Sequence, residues 1–141
     1  MKHVFVLRHA QKNLLTGSIT KKGEEECATL RKVLPEITIA ISSPRKRCIE
    51  TAKLLVNHDP KVEKDADIEY DSGTELAQLI RNIIKKLQDE QNALIITHEP
   101  CLEPAYALLQ NKIPMQESIH FRSLEGFIVD EKRRVKLFVR D

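Results

Sequence analysis

Two apolar runs in this chain each end at a histidine, and they constrain its fold more than any other feature. Residues 4–7 lead into Arg8 and His9, and residues 93–97 lead into His98. The first run is too short for a helix and is rich in β-branched and aromatic residues, which is typical of a buried strand in a parallel sheet. Because open α/β sheets bind ligands at the carboxyl ends of their strands, both histidines are expected at one crevice.

Helical and extended patterns alternate along most of the chain. The clearest helical stripe begins at Thr74, where apolar residues recur at spacings of three and four as far as Leu87. Thr20 is a typical helix N-cap, and the helix after it is predicted to run to Leu34, where Pro35 closes it. The other predicted elements are a strand at 37–41, a helix from Pro44 to about Leu55 with the proline as its first residue, a weaker edge strand at 62–70 and a helix at 101–109.

The last part of the chain lacks helical periodicity. Residues 118–121, 127–129 and 135–139 are predicted to be extended, with residues 130–134 as the turn of a terminal hairpin. The whole pattern predicts an α/β fold, a three-layer α/β/α sandwich whose sheet is mostly parallel with an antiparallel edge and a C-terminal hairpin.

Composition excludes several classes of protein. A chain of 141 residues predicts one domain over residues 1–141, and a net charge of +2 without interleaved aromatic residues argues against nucleic-acid binding. No apolar stretch approaches the roughly 20 residues of a membrane span, and the N-terminus has no signal-peptide pattern, so a cytoplasmic location is expected. Cys27, Cys48 and Cys101 form no close pair, which predicts free thiols rather than a zinc site or a disulfide.

A third strand end adds a further cation to the crevice. The segment Ser42-Ser43-Pro44 follows the second predicted strand, which places Arg47 in the first turn of the next helix. There its guanidinium joins the free N–H groups of a helix N-terminus, a natural anion site. With Arg8 and the two histidines, Arg47 completes a set that suits one phosphate-sized anion, since the planar arginine fork holds two phosphate oxygens at once.

The order and spacing of these segments resemble the histidine phosphatase superfamily, the phosphoglycerate-mutase-like proteins. The segment Leu7-Arg8-His9-Ala10 is similar to the family's Arg-His-Gly signature, with alanine in place of the glycine. Residues 19–23 partly match its Leu-Thr-x-x-Gly helix start, and residues 42–52 match its Ser-Ser-Pro-x-x-Arg-x-x-x-Thr-Ala helix without a gap. His98-Glu99-Pro100 matches the second histidine motif of small bacterial members.

The resemblance implies a mechanism and a set of site residues. His9 is the expected nucleophile, which takes the phosphoryl group and passes it to water, while Arg8, Arg47 and His98 hold the phosphoryl oxygens. The resemblance implies neither a metal ion nor another cofactor, because the arginines supply the positive charge. Residues expected to contact the substrate are Gln11, Asn13, Ser43 and Glu99.

The general acid has no clear match. Larger members of the superfamily carry a glutamate after the third strand that protonates the departing oxygen. The corresponding region here offers Asp71 as the first candidate and Glu75 as the second. An alkoxide leaves poorly without a proton, whereas an imidazole leaves readily from a phosphohistidine. A site without a firm acid therefore favours phosphoramidate substrates.

Chain length points to the same substrate class. Mutases and sugar bisphosphatases of the superfamily have longer chains with inserted segments over the site, whereas here no cap or lid insertion is expected. An open pocket admits a phosphorylated side chain of another protein, as in the small phosphohistidine phosphatases that act on histidine-phosphotransfer domains. A small-molecule phosphomonoesterase and a weakly active phosphate-binding module stay open as alternatives. Metal-dependent hydrolysis is disfavoured, because His9 and His98 lack paired carboxylates at ligand spacing.

Overall fold

A six-stranded sheet forms the centre of the computed structural model, which describes residues 1–113 and 119–140. Within these ranges the strands are β1 (His3–Arg8), β2 (Ile39–Ser42), β3 (Lys61–Val62), β4 (Asn92–Thr97), β5 (Gly126–Asp130) and β6 (Val135–Phe138). Their spatial order is β3-β2-β4-β1-β5-β6. The first four strands are parallel to one another, β5 pairs antiparallel with β1, and β6 pairs antiparallel with β5. The predicted mixed sheet with an antiparallel edge and a terminal hairpin is confirmed.

Helices cover both faces of this sheet. They are α1 (Lys21–Arg31), α2 (Lys46–Val56), α3 (Thr74–Lys86) and α4 (Glu99–Leu109), with a short 3₁₀ helix at Lys64–Ala66. Alternate residues of a strand point to opposite faces, so Val4 and Val6 pack in the core beneath α3 and α4. Phe5 and Leu7 pack in the other core, beneath α1 and α2. The predicted three-layer sandwich is therefore correct, and no helix in the described ranges combines the length and apolar character needed to cross a membrane.

Helix α1 begins as predicted but ends early. The Thr20 hydroxyl accepts the N–H of Gly23 at 3.0 Å, which confirms the N-cap. The predicted end at Leu34 is wrong, because the last regular residue is Arg31 and the chain then tightens into a turn. The N–H groups of Val33 and Leu34 both donate to the Leu30 carbonyl there, so Pro35 follows a turn rather than a helix.

Helix α2 begins two residues later than the proline signal predicts. Pro44 precedes the N-cap, Arg45, whose backbone is extended at φ −71° and ψ 139°. The reason is local, because the Ser43 hydroxyl accepts the N–H of Arg45 at 3.3 Å and holds the segment out of the helix. Arg47 becomes the second helical residue and remains in the first turn.

The predicted strand at 62–70 is mostly wrong. Only Lys61 and Val62 pair with β2, at Ile41 and Ser42. Beyond them the chain forms the 3₁₀ helix, and the Thr97 hydroxyl donates to the Ala66 carbonyl at 2.7 Å. Because of this contact, the chain passes over the end of β4 and does not continue along the edge of the sheet.

The remaining differences lie near the C-terminus. Helix α4 begins at Glu99 rather than at residue 101, because Pro100 fits the first turn, where no backbone N–H is needed. The predicted strand at 118–121 is wrong for residues 119–121, which lie outside the sheet, and Ser118 falls outside the described residues. The hairpin turn is confirmed, since the Asp130 carboxylate accepts the N–H groups of Lys132 and Arg134.

Candidate active site

Three parallel strands bring the predicted residues to one edge of the sheet. β1 and β4 pair with Arg8 opposite Thr97, so the residues that follow them, His9 and His98, are neighbours. Their ring centroids lie 5.5 Å apart, and both side chains border a cleft of about 380 Å³. This cleft, named the histidine cleft here, is also lined by Arg8 and Arg47, as the sequence predicts.

The guanidinium of Arg47 connects the two imidazoles. Its Nε donates to Nε2 of His9 at 3.3 Å, and its Nη2 lies 3.4 Å from Nδ1 of His98. The Thr51 hydroxyl donates to the Arg47 carbonyl at 2.7 Å and accepts the N–H of Ala10 at 3.0 Å. The i, i+4 spacing of Arg47 and Thr51 thus joins the first turn of α2 to the end of β1, which fixes the guanidinium beside His9.

His9 is held with a lone pair facing Arg47. Its Nδ1 lies 2.7 Å from the Ala10 carbonyl, which can only accept. The ring proton is therefore on Nδ1, and Nε2 carries a lone pair and no proton. The pKa of His9 is lowered to about 4, mainly by burial and in part by the positive charges of Arg47 and Arg8, against the opposing hydrogen bond to Ala10. The imidazole is therefore neutral and nucleophilic at neutral pH.

His98 has the complementary arrangement. Because Arg47 donates to Nδ1, the ring proton is on Nε2 and donates to the Ser43 hydroxyl at 2.8 Å. That hydroxyl lies 3.5 Å from Oδ1 of Asp67, which also accepts Nε of Arg45 at 2.8 Å. The pKa of His98 is lowered to about 3, mainly by burial and in part by the charge of Arg47. His98 is neutral and oriented from behind by a buried polar chain.

Arg8 also lines the cleft. One Nη1 hydrogen bond of 2.9 Å to the Phe121 carbonyl fixes its guanidinium, and its Nε is buried with no hydrogen-bond partner in the described part of the chain. The same Nη1 lies 3.7 Å from Oε2 of Glu99, whose Oε1 lies 3.2 Å from Nδ1 of His120. His120 is exposed at the rim and belongs to no strand, in contrast to the predicted strand position.

The comparison with protein families agrees with this geometry. The model of the histidine phosphatase superfamily, branch 1, matches residues 4–74. This chain belongs to that superfamily. No curated protein sequence matches the chain significantly, whereas many solved structures do.

Three solved histidine phosphatase folds illustrate the likeness. The protein histidine phosphatase SixA, in complex with tungstate, gives a TM-score of 0.69 at 17% identity over 96% of this chain and 93% of SixA. A phosphoserine phosphatase from Entamoeba histolytica gives 0.72 at 16% identity over 97% and 95%. A mycobacterial glucosyl-3-phosphoglycerate phosphatase gives 0.73 at 12% identity over 97% of each chain. At these identities the likeness shows the shared fold.

The loop that supplies the general acid in larger histidine phosphatases presents no carboxylate to the cleft. Ile68 lines the cleft from this loop, whereas Asp67 turns inward. Burial opposes ionisation of Asp67, but hydrogen bonds from Arg45 and the Ile68 N–H outweigh it and lower its pKa. Asp71 and Glu75 are not among the residues that line the cleft, and Glu75 instead lies 3.3 Å from the Ser72 hydroxyl.

The predicted substrate contacts divide into two groups. Gln11 and Glu99 line the cleft. Asn13 does not, because its side chain accepts the N–H of Leu15 within the loop, and Ser43 lies behind His98 rather than on the cleft wall. Sequence reasoning missed the remaining lining residues, which are Lys12, Leu14, Ile68, Pro100 and Ser123. Lys12 and Pro100 lie close to the motif residues, whereas Ser123 carries no sequence signal.

Ala10, which replaces the family's glycine, is accommodated by a glycine elsewhere. Its side chain is fully buried against α1, where a Cβ on Gly23 would come within 3.3 Å of the Ala10 Cβ and 3.0 Å of the Gln11 carbonyl oxygen. Gly23 therefore allows the helix to approach the β1–α1 loop. The alanine changes this packing and leaves His9 in the cleft.

The three cysteines are buried free thiols, as predicted. Cys48 comes closest to the site, with Sγ 3.5 Å from Nε2 of His98, but burial raises its pKa to about 12 and keeps it protonated. Within residues 1–113 and 119–140 no group of three His, Cys, Asp or Glu side chains is arranged to hold a metal ion.

Proposed function

We propose that this histidine phosphatase hydrolyses phosphohistidine on a partner protein through a covalent phosphohistidine at His9. One observation carries the proposal. The unprotonated Nε2 of His9 shares a cleft with two guanidinium groups and a second imidazole, so nucleophile and anion-binding groups converge. That combination suits phosphoryl transfer, where catalysis depends on positioning and on charge stabilisation.

The first step transfers the phosphoryl group to the enzyme. Nε2 of His9 attacks phosphorus and the new N–P bond forms. The substrate imidazole reacts with its other ring nitrogen protonated, so the N–P bond that breaks leaves its electron pair on the released nitrogen and a neutral imidazole departs. Arg8 and Arg47 offset the charge on the phosphoryl oxygens. His98 must first gain a proton at Nδ1 to donate to these oxygens, and the negative phosphoryl group favours that uptake.

The second step regenerates the enzyme. A water oxygen bonds to phosphorus, the P–Nε2 bond breaks, and the electron pair returns to His9 while a water proton passes to solvent. The Nδ1–H bond to the Ala10 carbonyl persists through both steps and keeps Nε2 as the reacting atom. No metal ion is required by this scheme.

The choice of a phosphoramidate substrate rests on the leaving group. Among the described residues Glu99 is the carboxylate that lines the histidine cleft, and it already faces Arg8 and His120. Its oxygens are occupied by these contacts and are not directed at a leaving group. An imidazole leaves without strong acid assistance, and the structural neighbour SixA is a protein histidine phosphatase.

A partner protein also suits the open side of the cleft. The connection from α2 to α3 comprises residues 57–73 and contains only β3 and the 3₁₀ helix. We propose that the chain acts as a single domain without a cap or lid insertion, so that a phosphorylated side chain on a larger molecule can enter. A small-molecule phosphomonoesterase is the second candidate, because Glu99 lines the cleft where a general acid for an alkoxide leaving group would have to lie.

A substrate panel tests the proposal. It compares a histidine-phosphorylated phosphotransfer domain, free phosphohistidine, an aryl phosphate and phosphoserine, each with and without EDTA. We expect the highest kcat/KM on the phosphohistidine substrates, activity that survives EDTA, and a loss of at least about a thousandfold in His9→Ala. His3→Ala is the matched control, because His3 lies at the opposite end of β1.

Other outcomes would contradict the proposal. A clear preference for phosphoserine or sugar phosphates would favour the small-molecule phosphomonoesterase and leave the His9 mechanism standing. Tight binding of the phosphorylated domain without turnover would indicate a phosphate-binding module instead. Activity lost with EDTA and restored by a divalent metal would overturn the metal-independent scheme.

A further inference from the structure

A second cleft opens beside the histidine cleft. It has a volume of about 520 Å³, and the two share Arg8, Gln11 and Ser123 in their walls, so they are continuous. The second cleft is further lined by Lys22 and Arg122. Lys22 stands at a variable position of the Leu-Thr-x-x-Gly segment, and Arg122 lies outside the motifs described above.

Positive charge dominates this second cleft, named the cationic cleft here. Four cations, Arg8, Lys22, Arg122 and Arg140, line it against one carboxylate, that of Glu26. An anionic group of a ligand that extends beyond the scissile phosphate would be attracted there.

The two distal arginines are held in place. Arg122 Nη2 lies 3.1 Å from Oε2 of the buried Glu125 and also donates to the Arg140 carbonyl at 3.0 Å. Arg140 forms an ion pair with Glu26. Because these contacts fix the guanidinium groups, an incoming anion meets positioned charges rather than freely rotating side chains.

An apolar groove continues from the cationic cleft. The groove has a volume of about 470 Å³ and shares Lys22, Glu26 and Arg140 with that cleft. Its apolar lining includes Val33, which is 75% exposed, and Val139, which is 55% exposed. Apolar side chains this exposed are candidates for contact with another protein.

The cationic cleft and the apolar groove follow one face of α1 in order. Lys22 and Glu26 border the cationic cleft, and Leu30 and Val33 border the groove at spacings of four and three further on. At 1.5 Å per residue, Lys22 and Leu30 are separated by roughly 12 Å along α1, and Val33 lies in the turn beyond the helix. A surface of this length beside the site is larger than a small phosphate ester uses, and it matches a segment of folded protein.

We propose that the cationic cleft and the apolar groove form a docking track for the phosphoprotein substrate, an inference that rests on the proposed function. The partner places acidic side chains next to its phosphohistidine, against Lys22, Arg122 and Arg140. Farther from the phosphohistidine it places apolar side chains, against Val33 and Val139. The track raises affinity for the protein substrate and leaves the chemistry at His9 unchanged.

Two substrates with the same P–N bond test the track. A histidine-phosphorylated phosphotransfer domain presents a protein surface, whereas free phosphohistidine does not. We expect Lys22→Glu to lower kcat/KM on the phosphorylated domain about tenfold and Val33→Ser about threefold, with free phosphohistidine unaffected. The loss in Lys22→Glu is expected mainly in KM and to shrink as salt is raised, because the contact is electrostatic.

Matched controls separate docking from general effects. Lys21→Glu makes the same charge change one residue away, on an exposed side chain that borders none of the three hollows, and Val62→Ser makes the same apolar change on β3. Unchanged turnover of the phosphorylated domain by Lys22→Glu and Val33→Ser would overturn the track. Equal losses on both substrates would also overturn it. If neither P–N substrate were cleaved while the aryl phosphate was, the proposed substrate class itself would fail.

Discussion

At the amino ends of the parallel strands lies a hollow of about 670 Å³, larger than the histidine cleft of about 380 Å³ at their carboxyl ends. The two ends hold similar side chains. The larger hollow has His3, and it has Asp130 paired with Arg134 at 2.7 Å, much as Asp67 pairs with Arg45 at 2.8 Å near the histidine cleft. Residue types and volume alone therefore do not distinguish the two ends.

The direction of the chain distinguishes them. Helices α2 and α4 begin at the carboxyl end of the sheet, so their positive N-termini face the histidine cleft. Arg47 lies in the first turn of α2, and His98 is the N-cap of α4. The buried aspartate at this end stands behind an imidazole, whereas Asp130 closes a hairpin turn. The same residue types thus form the proposed phosphoryl-transfer site at one end and hold a hairpin turn at the other.

The largest expected contrast is between the two arginines. Arg47→Ala removes a donor to both imidazoles and a cation from the cleft, so kcat/KM should fall by about 10²–10³. Arg134→Ala removes the partner of Asp130 and should leave kcat/KM within about twofold. Steady-state kinetics of both variants on the aryl phosphate checks this, and equal losses would contradict the assignment of the reaction to the carboxyl end.

A smaller contrast is expected between the two aspartates. Asp67→Asn removes the negative charge 4.0 Å from Nε2 of His98, which makes protonation of His98 in the substrate complex harder. We expect kcat/KM to fall about tenfold and its pH optimum to move to lower pH. Asp130→Asn should lower the melting temperature without moving the pH profile. If Asp67 had only a structural role, Asp67→Asn would lower the melting temperature and leave the pH optimum of kcat/KM unchanged.

The smallest expected effect is on stability against acid. The pKa values of His9 and His98 are lowered to about 4 and about 3, against an ordinary value near 6.5 in the unfolded chain. The unfolded chain therefore binds more protons between these values, and the free energy of unfolding falls as pH drops from about 6.5. The melting temperature should fall less between pH 7.5 and pH 5 in His98→Asn than in the unchanged protein or His3→Asn. Parallel falls in all three would contradict the inference.

The sequence was sufficient to predict which side chains meet at the strand ends. The apolar runs before His9 and His98 located two parallel strands, and parallel pairing alone brings their carboxyl ends together. The position of Arg47 in a first turn was also predictable, although the helix begins after Arg45 rather than at Pro44. The spacing of the motifs supports these predictions because it reflects local helix and strand geometry.

The parts that sequence reasoning missed depend on tertiary contacts. The strand predicted at 62–70 stops after two residues because Ala66 bonds to Thr97 across the sheet end. Ser123 reaches the cleft from the segment before β5, with no motif to mark it. Position in the chain favours Asp71 as the acid candidate. Packing decides which side chain of that loop lines the cleft, and in the structure that side chain is Ile68.

The hydrogen bonds that Arg47 makes to the two histidines should weaken retention of inorganic phosphate, the product of the proposed reaction. The guanidinium already directs donors to His9 and His98, at 3.3 and 3.4 Å. A phosphoryl group that arrives must take those donors over, so binding is an exchange of acceptors and its net gain is smaller than the count of new contacts suggests. The same exchange runs backwards when inorganic phosphate departs. In the proposed reaction His98 then releases its proton, both imidazoles accept from Arg47 again, and this favours departure of the phosphate.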